Sequence, residues 1–208
     1  MSPTEPAATS PAEPFVVRQY RRARDEVAPY ARASAVVAVP AVVWAGWASG
    51  PGWLTPAYVV LAVVGAALGV IDGRTHRLPN ALVFPLTWAT GVLLVVAALG
   101  TGSWADLGRA ALGAFAFFAL YQVLYLVSPR GGIGYGDVKL SLTLGAVLTW
   151  HSWGTLLIGV FAAHLLAGVV AVVLVLGRRA GWKTGIAFGP YLLLGTMIGL
   201  TWARLVGG

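Results

Sequence analysis

The chain contains no cysteine. Disulfides, thiolate metal sites and a cysteine nucleophile are all excluded by that one absence. Acidic residues are also scarce: seven of 208 residues are Asp or Glu, and charged residues together make up only 10%. A soluble domain carries roughly 25%, so an ordinary water-facing surface is excluded too. What fills the chain is apolar, with 58% hydrophobic residues and a mean hydropathy of +0.80. The net charge of +7 and pI near 10.3 would suggest nucleic acid in a soluble protein. Here the basic residues stand in short segments between apolar runs, where they set topology and meet anionic lipid. Membrane lipid is therefore an expected partner and nucleic acid is not.

Seven apolar runs follow in order, at residues 33–49, 56–71, 81–99, 107–127, 138–150, 155–176 and 186–206. A spanning helix takes about 20 residues, with a range of roughly 17–25, so the second and fifth runs are short enough to be re-entrant instead. The basic residues decide between these readings. With the N-terminus inside, twelve of the fourteen Lys and Arg residues fall on inner segments, and only Arg109 and Arg204 fall outside. Removing either short span would move Arg178, Arg179 and Lys183 to the outer side. The expected fold is an all-α polytopic membrane protein with about seven transmembrane helices and a cytosolic N-terminus.

Three parts follow from this reading. Residues 1–14 form a disordered Pro/Ala-rich tail without the basic region and apolar core of a signal peptide. Residues 15–32 form a basic interfacial segment, in which Arg18, Arg21, Arg22, Arg24 and Arg32 alternate with apolar and aromatic residues. A helix lying on the inner membrane face and a flexible basic flank suit this segment equally well. Residues 33–208 form the transmembrane domain. Most of its Trp residues lie near outer span ends as anchors, while Gly65 with Gly69 and Gly195 with Gly199 allow close helix packing.

Four of the seven acids, Glu5, Glu13, Asp25 and Glu26, lie in the N-terminal flank, and Asp106 lies in an outer loop. Asp72 ends the second span and Asp137 begins the fifth, so both face the cytosol. Carboxylates at the edge of a hydrocarbon layer are costly and point to function. The stretch Gly131-Gly132-Ile133-Gly134-Tyr135-Gly136-Asp137-Val138-Lys139 places four glycines within six residues before the second of them. Such a backbone can lie close to another chain. Two close carboxylates in a low dielectric share a proton and titrate as a unit. One partner then takes a proton from water while the other donates to a carbonyl oxygen, which is the chemistry of peptide hydrolysis. Pro79 separates the Asp72 loop from the third span, and Asn80 is placed to cap that span. Lys139 reads as a contact to lipid phosphate ahead of an influence on Asp137. His76, His151 and His164 do not cluster, so neither a metal site nor a cofactor is expected. His164 reads as an interhelical hydrogen-bonder, Arg109 as a side chain snorkelling to the outer interface, and Asp106 as a helix cap.

At these residues the chain resembles the type IV prepilin leader peptidase family, whose members are GxGD membrane aspartic proteases. Asp72 with Thr75, Leu78, Pro79 and Asn80 carries the resemblance, together with Gly134-Tyr135-Gly136-Asp137-Val138-Lys139. Ile186-Ala187-Phe188-Gly189-Pro190-Tyr191 is similar to that family's Pro-Phe-Gly-Pro-aromatic segment, with Ala187 in place of the usual proline. The resemblance implies a multi-pass enzyme of the cytoplasmic membrane that removes the basic leader from prepilin or pseudopilin precursors at the cytosolic face. It implies Asp72 and Asp137 as the catalytic pair. Gly134, Gly136, Lys139, Pro79, Asn80, Phe188, Gly189 and Pro190 would form the active-site loop and substrate-binding residues. Many bacterial members carry an N-terminal cytosolic insertion with paired cysteines that is associated with N-methylation. Residues 50–55 are only a short turn here, so the chain resembles a short form and methyltransferase activity is not expected. The alternatives are an intramembrane protease with non-pilin substrates, which would pair the GxGD aspartate with one inside an earlier span, and a proton-coupled transporter, which would show internal repeats and mid-membrane acids.

Overall fold

A computed structural model describes residues 21, 24, 26–128, 133–177 and 187–207. The tail at 1–14, most of the basic segment at 15–32, Gly131, Gly132, Arg130, Arg178, Arg179, Lys183 and Ile186 lie outside the described residues. Among the described residues there is no strand. A 3-10 turn at Ala28–Tyr30 leads into seven helices: α1 (Ala31–Ser49), α2 (Thr55–Thr75), α3 (Asn80–Thr101), α4 (Trp104–Val127), α5 (Tyr135–His151), α6 (Trp153–Leu176) and α7 (Gly189–Gly207). Five of these segments are long and apolar enough to cross a membrane, the first running from Ala28 to Ser49 and the others being α2, α3, α4 and α6. The protein is an all-helical, multi-pass membrane protein.

The helix ends follow local chemistry. α2 continues past the apolar run through Asp72, Gly73 and Arg74 to Thr75. It stops because His76 turns left-handed (φ 54°, ψ 36°) and returns its N–H to the Asp72 carbonyl at 2.8 Å. Pro79, extended at ψ 127°, starts α3 without an N–H to satisfy. The Ser152 hydroxyl caps α6 by accepting the Thr155 N–H at 3.0 Å.

The shortest spanning candidate by sequence, α5, lies at the centre of the bundle. It packs against α3, α4, α6 and α7, and Val138, Leu140, Leu144, Val147 and Leu148 are all buried. Seventeen residues make a helix of about 26 Å, and a helix ringed by others presents little of that length to lipid. Close seams hold it in place. A Cβ on Gly145 would lie 2.7 Å from the Gly113 carbonyl oxygen of α4, so only glycine fits there. The α6–α7 seam is tighter still: a Cβ on Gly195 would overlap the Gly159 carbonyl oxygen and lie 2.7 Å from the Ala163 nitrogen. Gly195 and Gly199 are thus packing residues, as their spacing predicts.

At the end of the bundle away from the aspartates, two expectations are corrected. Arg109 does not snorkel outward. Its Nε donates to the Thr149 carbonyl at 2.6 Å, and its Nη2 donates to the Trp150 and His151 carbonyls and to Asp106 Oδ1, the last at 2.7 Å. Those carbonyls end α5 and have no partner inside their own helix, so a cation reaching across from α4 is favoured there. Asp106 is not the cap of α4, because Ser103 holds that position and Asp106 is engaged with Arg109 in the first turn. His151 is also hydrogen-bonded to the Tyr58 hydroxyl. An apolar groove of about 300 Å³ lies between α1, α2 and α7, floored by Gly65, Ala66 and Gly69 and bordered at one end by Pro190.

Candidate active site

Asp72 occupies the last turn of α2 and Asp137 the first turn of α5. Both side chains are 5% exposed, which places two carboxylates inside an apolar bundle where burial of a charge is costly. Both lie at the same end of the bundle, where Leu78 packs against Gly136, next to Asp137, and against Gly189, which touches Asp72. Their oxygens are treated differently. Asp72 Oδ2 accepts the Gly189 N–H at 3.0 Å, a bond that ties the start of α7 to the end of α2. Asp137 Oδ2 faces Gly134, where a Cβ would lie 3.1 Å away. Asp137 Oδ1 is buried without a hydrogen-bond partner.

The glycines act by letting backbone approach. Gly134, extended at ψ 143°, caps α5, and its carbonyl accepts the Asp137 N–H at 3.0 Å. A Cβ on Gly136 would lie 2.7 Å from the Leu78 Cβ, and one on Gly189 would lie 2.7 Å from Asp72 Oδ2. Leu78 also reaches within 3.4 Å of the Gly189 Cβ position. It therefore lies between the first turns of α5 and α7 and holds the two sides of the site at a fixed spacing. Phe188 turns its carbonyl to the N–H groups of Tyr191 and Leu192 and so opens α7. Its ring stands 5.1 Å from the His164 ring and 6.4 Å from the Tyr121 ring. Pro190 packs toward Gly73 and lines the apolar groove.

Two expected roles, those of Asn80 and His164, are corrected. Asn80 does not cap α3, because Pro79 takes the capping position and Asn80 is the first helical residue. Its side-chain oxygen instead accepts the Lys139 Nζ at 2.8 Å. Lys139 thus has a protein partner, and its ammonium also lies 4.6 Å from the centre of the Tyr135 ring and 5.2 Å from that of Phe84. His164 bonds to the Val160 carbonyl of its own helix at 2.8 Å rather than across helices. Among the described residues no group of three or more His, Asp or Glu could hold a metal ion.

The type IV leader peptidase family matches residues 59–176, more than half of the chain. The chain belongs to that family. Among its relatives, the prepilin leader peptidase/N-methyltransferase of Escherichia coli (strain K12) is 41% identical over 64% of this chain and 57% of its own length. The protein of the same name from Aeromonas salmonicida (strain A449) is 36% identical over 73% of this chain and 51% of its own length. Leader peptidase HopD of Salmonella typhimurium (strain LT2) is 34% identical over 69% of this chain and 90% of its own length. The chain spans about half the length of the first relatives it matches. No solved structure matches it. Asp72, Asp137 and the glycine loop fall within the stretch matched by the leader peptidase family. Phe188, Gly189 and Pro190 lie beyond it, and the Gly189–Asp72 hydrogen bond brings that segment to the same site.

Tyr121 was not foreseen as part of this site. Its side chain is 0% exposed, its hydroxyl has no hydrogen-bond partner, and its ring stands 6.4 Å from that of Phe188, the residue before Gly189. Nothing in its sequence setting, an apolar run with several other aromatics, distinguishes it.

Proposed function

We propose that this chain is a membrane-embedded aspartic endopeptidase that cleaves the basic leader from type IV prepilin-like precursors, with Asp72 and Asp137 as the catalytic pair. The observation that carries this reading is the presence of two buried carboxylates at the same end of the bundle, one held by a backbone N–H and the other with an unpartnered oxygen. Membership of the leader peptidase family and the names of the relatives support the substrate class.

The reaction needs one proton shared by the pair. The ionised carboxylate removes a proton from water, whose oxygen attacks the scissile carbonyl carbon. The protonated carboxylate gives its proton to the carbonyl oxygen, leaving a neutral gem-diol. The carboxylate that gave its proton then takes one back from the diol as the carbonyl reforms. The C–N bond breaks, and the amine nitrogen receives the proton first taken from water. The pair ends as it began, and no cofactor enters.

The topology belongs to the same proposal: seven spans in the cytoplasmic membrane, N-terminus in the cytosol, and the site at the cytosolic face. Its support is the charge distribution, with Arg74, Arg77 and Lys139 near the aspartates, and Arg109 and Arg204 toward the other end, where the Arg204 guanidinium lies beside Gly50. The expected activity is peptidase alone, without methyl transfer to the new terminus.

The test is a cleavage assay in membranes with a pilin-like precursor from the same genome, comparing wild type with Asp72→Asn and Asp137→Asn. Wild type shortens the precursor, and each variant, expressed to the same level, loses about 10²–10⁴-fold in rate. Full activity in either variant overturns the dyad.

A further inference from the structure

The Phe188–Gly189 peptide makes bonds on both of its sides. Its carbonyl accepts the N–H groups of Tyr191 and Leu192, each at 3.1 Å, and so opens α7. Its N–H donates to Asp72 Oδ2 at 3.0 Å. A peptide is planar, so whatever fixes that plane also aims the donor that Asp72 meets. Gly189 has no side chain with which to hold it. Phe188 does, and three rings stand around its own: His164 at 5.1 Å with 60° between the planes, Tyr121 at 6.4 Å and Tyr191 at 6.5 Å. Tilted ring pairs at such spacings attract beyond their area of contact.

The nearest of the three comes from α6, which carries neither carboxylate. His164 is the one polar side chain between Leu156 and Leu176, and a polar ring in so apolar a helix calls for a reason. The imidazole is itself held. Its Nδ1 lies 2.8 Å from the Val160 carbonyl, which can only accept, so Nδ1 donates and pins the ring to its own helix. The helix is placed just as firmly. A Cβ on Gly195 of α7 would lie 2.7 Å from the Ala163 nitrogen, so α6 and α7 meet backbone to backbone one residue before His164.

We propose that His164 is a positioning residue for Asp72, acting through Phe188. The imidazole braces the Phe188 ring, the ring sets the plane of the Phe188–Gly189 peptide, and the peptide N–H holds the Asp72 carboxyl in one orientation through the proton transfers. The inference rests on the aspartic dyad reading. It gives α6 a part in the reaction without contact to substrate, and His164 exchanges no proton with the pair.

The discriminating variant is His164→Leu in the full chain, reconstituted in detergent or lipid, with a precursor that the wild type cleaves. Leucine removes the ring and suits an apolar helix, so the melting temperature is unchanged or raised. For a positioning ring, kcat falls between about 10- and 100-fold, the scale of misplacing a reacting group, and KM is unchanged. His164→Phe restores a ring against Phe188 and brings kcat back to within about threefold of wild type. In a Phe188→Leu background, where the link is already cut, His164→Leu causes no further loss. Wild-type kcat in His164→Leu, with Asp72→Asn inert, overturns the role of His164 and leaves the dyad standing. A loss that His164→Phe does not restore, or that adds in full to the loss in Phe188→Leu, removes the ring contact as its cause and overturns the proposal. An active Asp72→Asn overturns the dyad and this inference together.

Discussion

The Gly189 N–H donates to Asp72 Oδ2 at 3.0 Å, joining residues 117 positions apart in the chain. This single bond orients one buried carboxylate and anchors the start of α7 to the end of α2. It also leaves no room for a side chain, because a Cβ on Gly189 would lie 2.7 Å from the oxygen that the N–H holds. Gly189→Ala is therefore expected to displace the carboxylate and lower precursor cleavage by about 100-fold, with expression retained. A cleavage time course on membranes normalised for protein level checks this.

Gly136 and Leu78 form a second such contact. A Cβ on Gly136 would lie 2.7 Å from the Leu78 Cβ, too close for either backbone to stay in place. Gly136→Ala is expected to reduce activity strongly. Adding Leu78→Gly to it removes the clashing atom and should recover part of the loss. A double-mutant cycle on log rate should then show a coupling of about 0.5–3 kcal/mol; strictly additive effects would contradict the contact.

Lys139 and Asn80 tie the start of α5 to the start of α3 through one exposed hydrogen bond at 2.8 Å. Exposed interactions of this kind are worth about 1 kcal/mol or less. Lys139→Met and Asn80→Ala should each lower the melting temperature slightly, and the double variant should be no worse than the more severe single one. A loss in Lys139→Met that depends on anionic lipid while Asn80→Ala is neutral would instead support the lipid contact.

Arg109 is expected to matter for folding and not for chemistry. It holds three carbonyls at the end of α5 and pairs with Asp106, far from the aspartates in the fold. Arg109→Met leaves those acceptors without a donor, at a cost of about 1–3 kcal/mol. Thermal denaturation in detergent should show the drop, while the folded fraction cleaves precursor at the wild-type rate.

The α6–α7 seam provides a purely steric test. Gly195→Leu places a branched side chain where even a Cβ would overlap the Gly159 carbonyl oxygen. The two helices must separate, and overpacking of this kind costs about 1–3 kcal/mol or more. Yield and melting temperature should both fall. Gly46→Leu, with nothing within 4 Å of its Cβ position, serves as the tolerated control.

Much of this protein can be read from its residues in order. A membrane fold follows from composition, because few charges and long apolar runs leave only lipid as solvent. Helix number follows from run length and from the basic residues between runs. Asp72 and Asp137 stand out because acids are so rare in the chain that each one at the edge of an apolar run calls for a reason. The glycine stretch beside Asp137 and the Phe188-Gly189-Pro190 segment are local patterns, visible without coordinates.

Other features depended on which surfaces meet. Asn80 looked like a helix cap because its residue type and position suit one, yet Pro79 takes the cap and Lys139, 59 residues away, takes the amide oxygen. Arg109 looked like an interfacial cation, yet the end of α5 lies within its reach and offers carbonyls that need a donor. Tyr121 looked like one more aromatic in an apolar helix, and only the packing of α4 against α5 shows its hydroxyl buried without a hydrogen-bond partner. Residue type and periodicity determine what a segment is and which solvent it tolerates, since those depend on local hydrophobicity and backbone preference. Which donor finds which acceptor depends on the distances between helices far apart in the chain, and those only the packed bundle decides.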